Sequence, residues 1–160
     1  MKTIIGLILT ISMAIAAVAA EPSQPPMFQM RLVLDAATPE SEVMTLVHRG
    51  TDGGESREVI NVQKTILIEQ TSVESATVVT NAGTGDPEIN IEFTEKGKQQ
   101  FADVTGKSIG KRLAIIIEGR LYSAPVIRSV ISGGKGMISG KFTKEEAADL
   151  AAKIRRAAGK

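Results

Sequence analysis

Glu88–Ile117 reads EINIEFTEKGKQQFADVTGKSIGKRLAIII, and this stretch decides the fold. Ile89, Ile91 and Phe93 alternate with polar residues, which predicts a half-buried strand over Glu88–Phe93. Thr94 and Glu95 follow: a hydroxyl to cap a helix N-terminus, then an acid where the helix dipole favours one. The helix should run to about Gly106, a residue suited to stopping it. Gly97, Phe101 and Val104 share a face at spacings of four and three, so Gly97 should permit close approach to the sheet. Leu113–Ile117 is unbroken apolar sequence, the pattern of a central strand covered on both faces.

Working outward, Glu118-Gly119-Arg120 predicts a hairpin turn into Leu121–Ile131. Gly133-Gly134-Lys135-Gly136 punctuates the chain, and Met137–Phe142 returns as a strand. Thr143 and Glu146 have capping-box spacing and open a helix to about Ala158, with Ala147, Leu150, Ala151 and Ile154 as its core stripe. Upstream, Phe28–Leu34 places Phe28, Met30, Leu32 and Leu34 on one face and Gln29 and Arg31 on the other, a half-buried strand. Glu42–Val47, Glu58–Ile68 and Ser75–Thr80 read as further strands, and Asn81–Pro87 as a turn. The sum is an α+β domain over residues 28–158, a mainly antiparallel sheet with two helices packed on one face.

Met1–Ala20 reads MKTIIGLILTISMAIAAVAA: a lysine, an apolar run over Ile4–Val18, then small residues at Ala17, Ala19 and Ala20. That is the layout of a secretory signal peptide, with cleavage after Ala19 or Ala20. An uncleaved anchor is the competing reading, but the run is shorter than the ~20 residues a spanning helix needs. Residues 21–27, beginning EPSQPP, read as an extended leader. The mature chain therefore has no membrane span, and the expected location is the periplasm or the outer face of the cytoplasmic membrane.

The 160 residues suit one domain, and 19 basic against 18 acidic residues leave almost no net charge. A nucleic-acid binder would carry a basic excess, so nucleic acid is not an expected partner. Without cysteine there are no disulfides, thiolate metal sites or cysteine nucleophiles.

No motif points to catalysis. Gly106-Lys107-Ser108 lacks the first glycine of a phosphate loop, since Phe101 stands there, and its lysine ends a helix rather than opening one. His48 is the only histidine and has no partners for a zinc set. Ser23, Ser123, Ser129 and Ser132 lack a nucleophile-elbow setting. Asp86, Glu88, Glu92, Asp103 and Glu118 read as solvated faces. Lys153, Arg155, Arg156 and Lys160 suggest an anionic patch partner, yet cations belong at a helix C-terminus anyway. The expectation is a non-enzymatic chain with no cofactor and no metal. Pro125 suits an edge strand or bulge, because it cannot donate to a ladder. Gly133 and Gly134 serve either a tight turn or the close approach of a partner backbone.

The text from Glu88 to Ile154 resembles the head subdomain of the first periplasmic domain of SecD and SecDF, accessory subunits of the Sec protein translocase. The resemblance rests on Phe93-Thr94 with Gly97 and Phe101, on Ile109-Gly110-Lys111-Arg112-Leu113-Ala114-Ile115, and on Ser123-Ala124-Pro125-Val126-Ile127. Ile131-Ser132-Gly133-Gly134 and Ile138-Ser139-Gly140-Lys141-Phe142-Thr143 complete it. Upstream strands match only loosely. In that family the head projects from the membrane and engages the translocating chain, while proton flow through transmembrane helices drives movement. Here no transmembrane bundle and no intramembrane carboxylate are found, so the resemblance implies the fold and a polypeptide-binding surface rather than the motor. It implies translocating or unfolded polypeptide, or Sec translocase components, as partners. The edge proline and the double glycine, expected to lie near one another, make Ser123, Ala124, Pro125, Gly133 and Gly134 the candidate partner-binding residues. The rival expectation is a structural envelope module for protein–protein assembly unrelated to transport.

Overall fold

In a computed structural model that describes residues 26–50 and 54–160, Leu113–Ile117 (β7) is buried at every position. Leu113, Ile115 and Ile117 enter one apolar core, while Ala114 and Ile116 enter a second on the opposite face. The expected signal peptide and most of the expected leader lie outside the described residues.

β7 pairs antiparallel with Phe28–Leu34 (β1) on one side and Arg120–Ser123 (β8) on the other. The far edge of β1 is shared between two partners. Val33 and Leu34 pair with Glu55–Gln63 (β3), and Gln29 and Met30 pair with Ile68–Glu69 (β4). Ser41–Arg49 (β2) then pairs with β3 over its whole length, giving the order β2-β3-β1-β7-β8 with β4 beside β1. The single strand expected over Glu58–Ile68 is therefore two. The chain bends at Lys64, whose N–H donates to the Glu40 carbonyl and whose ammonium donates to that of Pro39.

Gln29 was expected to face outward and is instead 1% exposed. Its face of β1 is the inner face of the second core. The amide therefore needs partners, donating to the Pro26 carbonyl (2.8 Å) and accepting from Arg31 Nε (2.7 Å).

A second sheet contains Val73–Thr80 (β5), Pro87–Phe93 (β6) and Lys135–Ile138 (β9), in the order β5-β6-β9. Asn81 shapes the β5–β6 turn, its side-chain oxygen accepting from the N–H groups of Gly83 and Thr84. Ile89, Ile91 and Phe93 are buried beneath Glu95–Lys107 (α1) and Lys144–Ala157 (α2), and the helices meet the first core there. Thr94 caps α1 by accepting from the Gly97 N–H at 3.0 Å. The capping box of α2 is complete, and its four stripe residues are all buried. The architecture is α+β, built on two antiparallel sheets.

Further expectations need correction. The arm Leu121–Ile131 is a strand only to Ser123; an irregular run then continues along Ser108–Leu113. The return strand is Lys135–Ile138 rather than Met137–Phe142, and it pairs with β6 in the other sheet. Gly133 and Gly134 thus lead from an irregular run into β9 and do not close a hairpin. Gly97 does permit a close approach, but to Ser72, in the 3-10 turn Gln70–Ser72 before β5: a Cβ there would lie 2.3 Å from the Ser72 carbonyl oxygen.

Candidate functional site

The outer edges of the larger sheet, β2 and β8, curl toward each other without pairing. A cleft of about 580 Å³ opens along this gap. Its apolar lining comes from Leu46 of β2, from Leu121, Tyr122 and Ala124, and from Phe142 and Leu150 across the opening. Alternation along β8 breaks at Tyr122: Ile116 pairs with Leu121 but Ile115 pairs with Ser123, so Tyr122 is the extra residue of a bulge. Its ring packs toward Phe142, with centroids 6.0 Å apart, and Arg120 lies 5.3 Å from its centroid. Gly140 makes room for Phe142, because a Cβ there would come within 2.8 Å of the ring.

Charged residues form the rim in opposite-sign pairs. Arg49 at the end of β2 reaches Glu146 in the first turn of α2 (3.1 Å) and donates to the Lys141 carbonyl (3.2 Å), linking the two walls. Lys141 pairs with Asp86 (3.0 Å) and Lys153 with Glu118 (2.9 Å), while Ser139 donates to Glu88 (2.8 Å). Arg112 grips Glu58 with two guanidinium nitrogens, and His48 Nε2 lies 3.0 Å from the same carboxylate.

These pairings fix the electrostatics. The hydrogen bond from Arg112, helped by His48, holds Glu58 down to about 2. Hydrogen bonding from Lys141 holds Asp86 below the usual carboxylate range. The Thr143 backbone N–H, then Arg49, does the same for Glu146. A general acid working near neutrality needs the opposite shift. Among the described residues no group of three or more acidic or histidine side chains could hold a metal ion. What the cleft offers is an apolar, aromatic floor and a rim of neutralised ion pairs.

Of the sequence-predicted residues, Ser123, Ala124 and Pro125 line this cleft. The Ala124 carbonyl accepts from Arg112 Nε (3.0 Å) and that of Pro125 from the Leu113 N–H (2.9 Å). Gly133 and Gly134 do not line it. Gly134 takes φ +70° and lies against Lys98 of α1, its carbonyl accepting from the Phe93 N–H at 2.9 Å. Sequence reasoning missed Leu46, Tyr122, Phe142 and the Arg49–Glu146 link. Tyr122, as the chain's single tyrosine, was the one available signal.

A family model described as the SecDF P1 head subdomain matches residues 41–158, beginning well upstream of the strongest sequence resemblance. The protein translocase subunit SecD of Magnetococcus marinus is 36% identical over 119 residues, which is 74% of this chain and 22% of that protein. SecD of Aquifex aeolicus is 35% identical over 79% of this chain and 26% of its own length. SecDF of Thermus thermophilus is 46% identical over 44% of this chain and 10% of its own. This chain thus spans about a quarter or less of these relatives. A crystal structure of SecDF in the super-membrane-facing form superposes with a TM-score of 0.64 at 27% identity, covering 81% of this chain and 18% of that one. A structure of SecDF described as a membrane component that enhances protein export gives 0.63 at 25% identity, covering 82% and 63%. No helix among the described residues is long and apolar enough to cross a membrane. Residues 41–158 match that family model across most of the chain, and the protein belongs to the SecDF P1 head subdomain family.

Proposed function

We propose that this protein takes part in protein translocation as an exported, non-enzymatic module whose β2–β8 cleft binds a segment of unfolded polypeptide. The observation that carries the reading is the cleft itself: an apolar floor with two aromatic rings, flanked by strand edges that pair with nothing else among the described residues. Strand edges offer backbone hydrogen bonds without regard to sequence, and an apolar floor accepts varied side chains, a combination suited to diverse clients. The relatives named above are translocase subunits, which supports transport over fixed assembly in the envelope. Ser123, Ala124 and Pro125 belong to this site, and Sec translocase components are the expected neighbours.

The test is binding of a reduced, permanently unfolded model polypeptide to the parent, Phe142→Ser and Gly134→Ala. The reading expects Phe142→Ser to weaken affinity by tenfold or more per folded molecule, since aromatic anchors carry much of such interfaces. Gly134→Ala should leave affinity per folded molecule unchanged. Equal affinity for parent and Phe142→Ser would remove the cleft from the proposal. Export is checked separately: protein recovered from the envelope should begin at Ala20 or Glu21, and a retained Met1 would contradict cleavage.

A further inference from the structure

Between Val104 and Ile138 the chain carries six cations and a single acid, Glu118, although its overall charge is nearly zero. Three cations are engaged: Arg112 with Glu58, Lys135 with Glu92, and Arg120 over Tyr122. Lys107, Lys111 and Arg128 are exposed and form no ion pair or side-chain hydrogen bond among the described residues. Glu118 is taken by Lys153, and the nearest other acid in sequence is Asp103, one turn back on α1.

The same surface carries exposed aliphatic side chains. Ile109, Val126, Val130 and Ile131 are 37–54% exposed, half of the large hydrophobic residues the described chain leaves in solvent. Backbone contacts hold the two segments together: Gly110 N–H donates to Ile127 O, Ile127 N–H to Lys111 O, and Ile131 N–H to Thr105 Oγ1. Val130 sits against Gly106. Unpaired cations and protruding aliphatic residues therefore form one patch.

We infer that this patch docks the domain on an anionic lipid surface, the aliphatic side chains entering the interface and Lys107, Lys111 and Arg128 meeting headgroup phosphates. An extended polypeptide is the poorer match. No patch residue lines the β2–β8 cleft, and the backbone groups of Gly110, Lys111 and Ile127 that join the two segments are spent on one another rather than offered as a strand edge. A flat, negatively charged partner satisfies both components at once. None of Lys107, Lys111 and Arg128 lines the cleft, so docking there would leave Leu46, Tyr122 and Phe142 open to a client.

The chain has no cysteine, so Ser129→Cys in the full chain accepts a single environment-sensitive dye within the patch, and Thr77→Cys places a reference dye on the smaller sheet. Each is titrated with phosphatidylcholine vesicles containing either no phosphatidylglycerol or about one third. Expected is a blue shift at position 129 with anionic vesicles only, with position 77 silent. Replacing Lys107, Lys111 and Arg128 by Gln should weaken that response on the order of a hundredfold, since each cation near such a surface contributes roughly a fivefold factor. A silent dye at 129, equal response to neutral vesicles, or an unchanged response in the triple variant overturns the inference. So does a response to polyglutamate without one to vesicles, which would make the patch a protein-docking surface. Loss of cleft binding in Phe142→Ser leaves all these readings unaffected, so the two proposals fail separately.

Discussion

Glu58 draws its low pKa from two elements at once, Arg112 just before β7 and His48 on β2, so its charge ties the rim to the fold. Its carboxyl titrates near 2 when folded against an ordinary value of 4.5, which means the unfolded chain binds the proton more readily. The stabilisation is complete above about pH 5 and disappears as the pH falls toward 2. Glu58 is 38% exposed, so solvent screening reduces the contribution to about 1 kcal/mol. Glu58→Gln should therefore lower the melting temperature at pH 7 and flatten its dependence between pH 5 and 2; a parallel acid limb would contradict this. Gly97→Ala is a second test at this scale. The new methyl would meet the Ser72 carbonyl at 2.3 Å, and backbone cannot swing aside as a side chain does. A loss on the order of 1–3 kcal/mol is expected in thermal or urea melts.

Elements whose stability comes from local pattern are the ones that read directly from sequence. Thr143 and Glu146 announce α2 by spacing alone, and Thr143→Ala should cost about 1 kcal/mol. Leu113–Ile117 announces a doubly covered strand, and Ile115→Ala should cost 2–5 kcal/mol through lost burial and a cavity, roughly. Equilibrium denaturation of the two variants should rank them in that order. What pattern cannot carry is the choice of partner. Alternation in Phe28–Leu34 assigns two faces but not that both are buried, so Gln29 looked solvent-facing. Apolar residues at 137–138 fit a strand in either sheet; pairing to β6 depends on α1 lying across Phe93, which the sequence near β9 does not state. The cleft was illegible for the same reason. Tyr122 reaches it through a bulge, and Leu46 through the curl of a sheet whose edges are distant in sequence. Ser123–Pro125 line the cleft, and they drew notice in the sequence only because Pro125 cannot donate to a ladder.

At the scale of the molecule, two sheets divide the labour. The smaller sheet and both helices bury most of the first core, while the larger sheet curls round a second, smaller core and leaves its edges unpaired. The cleft lies at that opening, and α2 supplies its opposite wall through Leu150 and the Glu146–Arg49 link. The central claim is that a client occupies this opening. The most direct test is nuclear magnetic resonance of the labelled protein titrated with an unfolded model polypeptide. The account predicts the largest shift changes at Leu46, Tyr122, Ala124 and Phe142, with those of Met137 and Thr77 on the open face of the smaller sheet unmoved. Changes centred on that open face, or spread evenly over the surface, would contradict it.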